Sequence, residues 1–500
     1  MSAGLQRASI FAIKKEVTGG EYLPPTVGAD FIPLRPGNSL NYEPEPLEND
    51  ELLNDIGAAK GLIGKEAVSG SHSAYLKHSG VEGQEPESGI LYESVFGAKT
   101  VNATEYNTVA ASTVSTLKVD TLEGALFEQG QAVLVKDGVN GYAIRNVNTI
   151  SGDDLSLNFN LNNAPSLGVN LGKVITYKPV AQGHPTFSTT KYLGNGHAIE
   201  VSAGNTATEV SVTADANGFG EVEFSYQGTR YFFNPITITA STKFLDFTDD
   251  AGTAAISLVE RIYKTPIDLA DALVTALNGV SAEVYTVKYS SSTGKFTIAT
   301  ATNAVFSILW NTGTNAANSI GGKLGFSVAS DSTGALSYES ANALDLASPI
   351  APSFDTVDSI VIKGAELFIG NQSDNVCICA QSVSITVSKE VEDEDCICEE
   401  TGVASKIPTS RSAEMSVTAT LNKYDASLLD ALLKNNGVQA MLNAGPKSGG
   451  NWIPGKCFNA YLQNATVSAY TTTGDSFIQA EFSLKGFVTS TGKDIFFNMV

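Results

Sequence analysis

The sequence predicts a mainly β protein: a β-barrel or sandwich with one packing α-helix, interrupted by inserted small β and α+β domains. Two observations carry this expectation. The first is strict alternation. In Ser382-Val383-Ser384-Ile385-Thr386-Val387-Ser388, and again in Glu414-Met415-Ser416-Val417-Thr418-Ala419-Thr420-Leu421, apolar side chains point one way and hydroxyls the other. The second is composition: 46 glycines, abundant Val, Ile, Thr and Ser, and frequent short turn clusters favour strands over helices.

After the second of these strands, Tyr424, Leu428, Ala431 and Leu432 recur at helical spacing up to Asn436-Gly437, where glycine permits a left-handed cap. That stripe is expected to dock on the apolar face of the sheet, leaving the Ser/Thr face wet. Most such faces are solvated surface and nothing more.

Upstream, the chain divides into four stretches. Residues 1–110 hold short strands at Ala12 to Glu16 and Phe31 to Leu34, a proline-containing acidic loop from Glu43 to Glu51, and short apolar runs at Gly61 to Lys65, Ala74 to Lys77 and Leu91 to Gly97. Residues 111–184 read as an inserted small β-barrel-like unit, with strands at Gly130 to Val135, Tyr142 to Val147 and Leu155 to Phe159. Residues 185–354 read as inserted β-rich and α+β decoration. Within it, Glu221 to Tyr226 alternates, and Thr265, Pro266, Leu269, Ala272, Leu273, Leu277 and Gly279 mark a capped, amphipathic helix. A hairpin follows, with strands at Val284 to Tyr289 and Lys295 to Ile298. Residues 355–500 return to regular strand, ending in Tyr461 to Tyr470 and Phe477 to Phe487.

Charge narrows the function classes. With 31 Lys+Arg against 53 Asp+Glu, the net charge of −22 repels nucleic acid. No apolar run reaches the roughly 20 residues of a membrane helix, and the N-terminus lacks a signal-peptide pattern, so a soluble chain without membrane partners is expected. Five cysteines give no secreted disulfide framework, and folding in a cytoplasm follows.

No catalytic constellation is present, and no cofactor is implied. His72, His78, His184 and His197 are scattered among small residues, which suits surface or loop positions. Cys377, Cys379, Cys396 and Cys398 form two Cys-x-Cys pairs. They are open to three readings: core residues for the first pair, a zinc site against which the one-residue gaps argue, or a disulfide within or between subunits. Cys457 has no partner in any of these. The acidic run Glu390-Val391-Glu392-Asp393-Glu394-Asp395 reads as part of a long hairpin loop, Lys389 to Ser410, and lacks the glycine punctuation of a calcium loop.

The order of the N-terminal arm, the acidic loop, Lys60-Gly61-Leu62-Ile63-Gly64-Lys65, Val81-Glu82-Gly83-Gln84-Glu85-Pro86 and Leu91 to Gly97 resembles tail tube (major tail) proteins of long-tailed bacteriophages. Ser382 to Ser388, Arg411 to Leu421 and Tyr424 to Leu433 are similar to that family's pore-lining hairpin and its packing helix. The resemblance covers residues 8–110 and 355–500 and leaves 111–354 as decoration. It implies a structural virion protein without enzymatic activity, assembling into stacked hexameric rings that form a conduit for DNA ejection.

On that reading Ser384, Thr386, Glu414, Ser416, Thr418 and Thr420 line the lumen, and Glu392, Asp393, Glu394 and Asp395 reach a neighbouring subunit or ring. The partners implied are copies of the chain itself, a tape measure protein in the lumen, and tail terminator and distal tail proteins. DNA would pass without specific binding. The protein would reside in the virion tail, after assembly in the host cytoplasm. Two alternatives are a tail completion or distal tail ring of the same fold, and a carbohydrate-binding surface module. Only Trp310 and Trp452 could serve the latter as aromatic platforms.

Overall fold

The alternating segments pair into one large antiparallel sheet, which a computed structural model describes for residues 9–26, 28–33, 35–51, 60–194, 198–300, 305–344, 352–354, 356–373, 377–420, 430, 434–473, 478–490 and 492–500. Seventeen strands join it. The two hairpin strands are longer than the sequence motifs suggest, running Ala380–Asp395 and Val403–Thr420. The first hairpin strand pairs with Ala198–Asp215, which pairs with Glu221–Gly228, then Val68–Tyr75, then Ser39–Tyr42. The second pairs with Gln479–Gly486, which pairs with Phe458–Thr473.

The inward side chains build the main core. Val210, Val212, Val222, Phe224, Val383, Ile385, Val387, Met415, Val417, Phe482 and Leu484 are all buried in it. Each fully buried Val, Leu, Ile or Phe is worth about 1.5–3 kcal/mol. The cover on this face is the helix Gly89–Phe96, which buries Leu91, Tyr92, Val95 and Phe96 and ends on Gly97 at φ 98°. Tyr92 meets Phe224 edge-on, with ring centroids 5.0 Å apart. The helix expected over Tyr424 to Leu433, with its stripe Tyr424, Leu428, Ala431 and Leu432, lies outside the described residues. Leu91 to Gly97 was too short for its helical period to be read.

Close packing fixes one glycine. Gly70 stands opposite Tyr226 across the strand pair, and a Cβ there would sit 2.2 Å from the tyrosine ring. Gly70→Ala is expected to destabilise the large sheet by about 1–3 kcal/mol, read in urea unfolding. Gly138→Ala, where a Cβ meets nothing within 4 Å, is the neutral control.

Two units hang from this sheet. A six-stranded sheet between Tyr106 and Leu171 surrounds Leu117, Val133, Val135, Val147, Leu155 and Leu157. Buried asparagines hold it against the large sheet: Asn146 Nδ2 donates to Asn459 Oδ1 at 2.9 Å, and Asn459 Nδ2 donates to Asn443 Oδ1 at 2.7 Å. Asn498 Nδ2 also donates to Asn459 Oδ1, at 2.8 Å. Mutual pairing satisfies these amides where burial would otherwise cost about 1–3 kcal/mol each.

The other unit, from Ile236 to Leu344, has its own core around the helix Pro266–Val280. Thr265 Oγ1 accepts from the Asp268 amide, as an N-cap should. Gly279 lies inside this helix, which Ser281 ends in extended conformation.

The unit boundaries are redrawn. Val174–Pro179 pairs with Gly97–Asn102 and Ile495–Met499 in the large sheet. Phe187–Leu193, Ala198–Asp215, Glu221–Gly228 and Arg230–Phe233 belong to it as well. Residues 174–233, which the sequence divides between the two inserts, are therefore structural members of the main sheet. Their partners lie up to several hundred residues away, and local patterning does not name a partner.

Candidate functional site: the polar sheet face and its hairpin

The wet face of the sheet is continuous across seven strands. One transverse row runs Ser73, Glu223, Ser211, Thr386, Glu414, Lys485; the next runs Tyr75, Glu221, Thr213, Ser384, Ser416, Ser483. A third runs Asp215, Ser382, Thr418, Glu481, Thr471. Thr420 stands opposite Gln479. The period of two puts every one of these on the side away from the core.

Hydroxyls bridge neighbouring strands, with Ser388 and Ser412 at 2.7 Å, Ser416 and Ser483 at 2.9 Å, and Ser211 and Thr386 at 3.4 Å. Carboxylates outnumber cations here. Glu209, Asp215, Glu221, Glu223, Glu414 and Glu481 are set against Lys485 and an Arg35 guanidinium 2.7 Å from Glu221.

All six residues read from the sequence as lining residues, Ser384, Thr386, Glu414, Ser416, Thr418 and Thr420, fall on this face. The sequence reading missed Ser69, Ser71, Ser73, Ser211, Thr213, Glu223, Ser225, Glu481 and Ser483. Glu209 to Asp215 and Glu221 to Tyr226 alternate just as cleanly. What they lack in sequence is a link to the hairpin.

The acidic hairpin segment is strand rather than loop. Glu390, Val391, Glu392, Asp393, Glu394 and Asp395 pair in register with Ser410, Pro408, Ile407, Lys406, Ser405 and Val403. Asp393 lies against Lys406 and 2.5 Å from Lys65, and Asp395 is 3.1 Å from Lys65. Burial pushes the Asp393 carboxyl up, but Lys406 and Lys65 outweigh it and hold it below the usual range. Arg230 pairs with Glu399 at 3.1 Å, and Lys264 with Glu400 at 3.4 Å. Asp393 and Asp395 thus engage Lys65 of their own chain, Glu394 accepts from Ser405 Oγ at 2.7 Å, and Glu392, Glu394 and Asp395 are exposed.

At the inner end of the acidic segment lies a buried cationic cluster. Lys389 stands opposite Arg411 in the hairpin register, and Arg411 makes a two-pronged contact with Asp494, with donor distances of 2.8 and 3.1 Å. Burial, and then Arg411, pushes the Lys389 ammonium down to about 7. Its Nζ donates to the Ser94 carbonyl at 2.7 Å and lies 3.2 Å from His184 Nδ1. Burial and the neighbouring Lys389 also lower His184, so its imidazole is neutral at pH 7. Nδ1 also lies 3.0 Å from the Ser94 carbonyl and Nε2 lies 3.2 Å from the Val180 carbonyl, so the neutral ring gives its one N–H to one of these two carbonyls.

The surface-or-loop reading of the histidines is corrected for His72, which is buried on the strand Val68–Tyr75; His78 and His184 lie between strands, buried and part-buried respectively. His72 stacks on Phe11 at 5.3 Å, and burial lowers its imidazole to about 4. His197 lies outside the described residues. The core reading of Cys377 and Cys379 is also corrected: both are exposed at the start of the hairpin, while Cys396 and Cys398 flank its tip. All five cysteines are free thiols, and burial pushes Cys457 up to about 12. Among the described residues no cluster of three or more His, Cys, Asp or Glu is arranged to hold a metal ion. No described helix is long and apolar enough to cross a membrane.

No curated protein matches the chain. Among solved structures, the virion of a native gene transfer agent particle overlaps at 13% identity, covering 25% of this chain and 92% of that one, with a TM-score of 0.18. A crystal structure of an Hcp protein overlaps at 13% identity, covering 26% and 96%, with a TM-score of 0.17. Overlaps that small leave the fold to be read from the strands themselves. The family model for phage tail tube proteins matches residues 6–307, more than half of the chain, and the chain belongs to that family.

Proposed function

We propose that this structural tail protein assembles into closed, hexameric rings that stack into a tube, with the polar sheet face turned to the lumen as the conduit for DNA. The observation that carries the reading is the continuous hydroxyl- and carboxylate-bearing face, unbroken from Ser73 to Lys485. Hydroxyl rows keep a channel wet without offering cations to phosphate, and the acidic excess repels a passing duplex.

Ring closure is supported by two open edges. Among the described residues, Ser39–Tyr42 pairs on one side only, and the stretch from Thr466 to Thr473 pairs only with Gln479–Gly486. Unpaired edges on both flanks of one sheet are a liability in a monomer and a seam in a ring. On this reading Glu392 and Glu394 face the neighbouring ring. A tape measure protein would occupy the lumen before DNA does, and terminator and distal tail proteins would cap the ends. Assembly would take place in the host cytoplasm. Both tryptophans are buried, so neither offers a carbohydrate platform.

Negative-stain microscopy of the purified chain over a concentration series tests this. Hollow, ring-stacked tubes are expected. Isolated rings that never stack at any concentration would instead mark a tail completion or distal ring protein.

A further inference from the structure

The two Cys-x-Cys pairs sit at opposite ends of one hairpin. The first hairpin strand has 16 residues, which at about 3.3 Å each separates the pairs by roughly 50 Å. A disulfide needs Cα atoms within about 7 Å, so one pair cannot bond to the other inside a chain.

Each end carries half of a complementary contact. At the tip, Ile397 is fully exposed between Cys396 and Cys398. It is held outward by a closed turn in which the Cys396 amide donates to the Gly402 carbonyl at 2.9 Å and the Gly402 amide donates to the Glu399 carbonyl at 3.0 Å. At the other end, a recess of about 170 Å³ opens beside Ile378, lined by Ile362, Ala365, Leu367, Ala380 and Leu442. Asn217, Lys363 and Gln381 complete its rim, and the space is large enough for an isoleucine side chain against the apolar part of the wall. Charge agrees with shape: exposed Glu394 accompanies the tip, and exposed Lys363 lines the recess.

A knob and a hole on opposite ends of the same molecule make a head-to-tail contact that propagates instead of closing. We propose that Ile397 of one subunit seats in the Ile378 recess of the next subunit along the tube, and that Cys396 or Cys398 then forms a disulfide with Cys377 or Cys379 across the ring boundary. This rests on the stacked-tube reading above. The thiols stay reduced in a cytoplasm and oxidise once the particle meets an oxidising medium. Two S–H bonds break and one S–S bond forms. The two protons and two electrons pass to dissolved oxygen, giving hydrogen peroxide, or to a small-molecule disulfide, giving two thiols.

The test uses full-length chain assembled under dithiothreitol, then transferred to air-saturated buffer with oxidised glutathione and run on non-reducing gels beside micrographs. Wild type is expected to give a ladder of dimers, trimers and higher multiples. Cys377→Ser/Cys379→Ser and Cys396→Ser/Cys398→Ser are each expected to stay monomeric. Mixed, they should give dimers only, because each supplies one half of a single junction. Ile397→Asp should raise the concentration needed for reduced tubes about tenfold. Tubes that stay monomeric on the gel, or a ladder that survives in Cys396→Ser/Cys398→Ser, would overturn the latch and leave the tube reading standing. Absence of both tubes and ladder would remove the two together.

Discussion

Asp494→Asn is expected to destabilise the large sheet by about 3–5 kcal/mol, the cost of leaving one partner of a buried ion pair uncompensated. Asp494 is 5% exposed and holds Arg411 by both carboxylate oxygens. Without its charge, Arg411 faces the buried Lys389 with no carboxylate between them and the core. Replacing both partners, as Arg411→Met/Asp494→Leu, should recover most of the loss, because the desolvation cost disappears with the charges. Urea unfolding followed by Tyr and Trp fluorescence measures both. A loss under about 1 kcal/mol for Asp494→Asn would show that the cluster is solvated.

The same cluster sets a pH dependence. Lys389 titrates near 7 when folded and, on its ordinary value, near 10.5 when unfolded. Between those values the unfolded chain binds the proton and the folded chain does not, so stability rises with pH across that window. The penalty is fully present below about pH 7. Lys389→Met removes it, so the variant should exceed wild type most at pH 6, with the gap narrowing toward pH 10. A gap that stays constant would place the Lys389 ammonium in contact with water.

Tubes carrying Ser384→Lys, Ser416→Lys and Thr418→Lys together are expected to capture duplex DNA that wild-type tubes release. Ser384 and Ser416 face each other in register, and Thr418 follows on the same side of the second hairpin strand. Each subunit thus gains three adjacent cations on the polar face, and none enters the core. Folding should be unchanged, with melting within about 2 °C, because surface substitutions of this kind stay within about 0.5 kcal/mol each. Retention should fall by about 10³–10⁵ between 50 and 200 mM salt if six to ten phosphates are engaged. Phage assembled with the variant should eject DNA slowly or not at all. Normal ejection would place this face outside the lumen.

The local grammar of the fold was legible in the sequence. Ser382 to Ser388 and Glu414 to Thr420 declared their two faces by alternation alone, and Thr265-Pro266 declared the start of a helix, because period and capping are set by residues a few positions apart. That was enough to assign all six candidate lining residues to one face. Tertiary structure alone decided which strands extend that face. Glu209 to Asp215 and Glu221 to Tyr226 alternate as clearly, yet only pairing with the hairpin made them part of it, and strand pairing over such separations leaves no local mark.

The acidic run was misread as loop because carboxylates on adjacent positions predict solvation. The structure keeps it in strand by setting Lys406 and Lys65 beside Asp393. The cysteines show the same division. Their spacing along the chain was visible from the start, but only the extended hairpin, by rising about 3.3 Å per residue, put the pairs at opposite ends, where a bond within one chain is out of reach and a bond between chains is not.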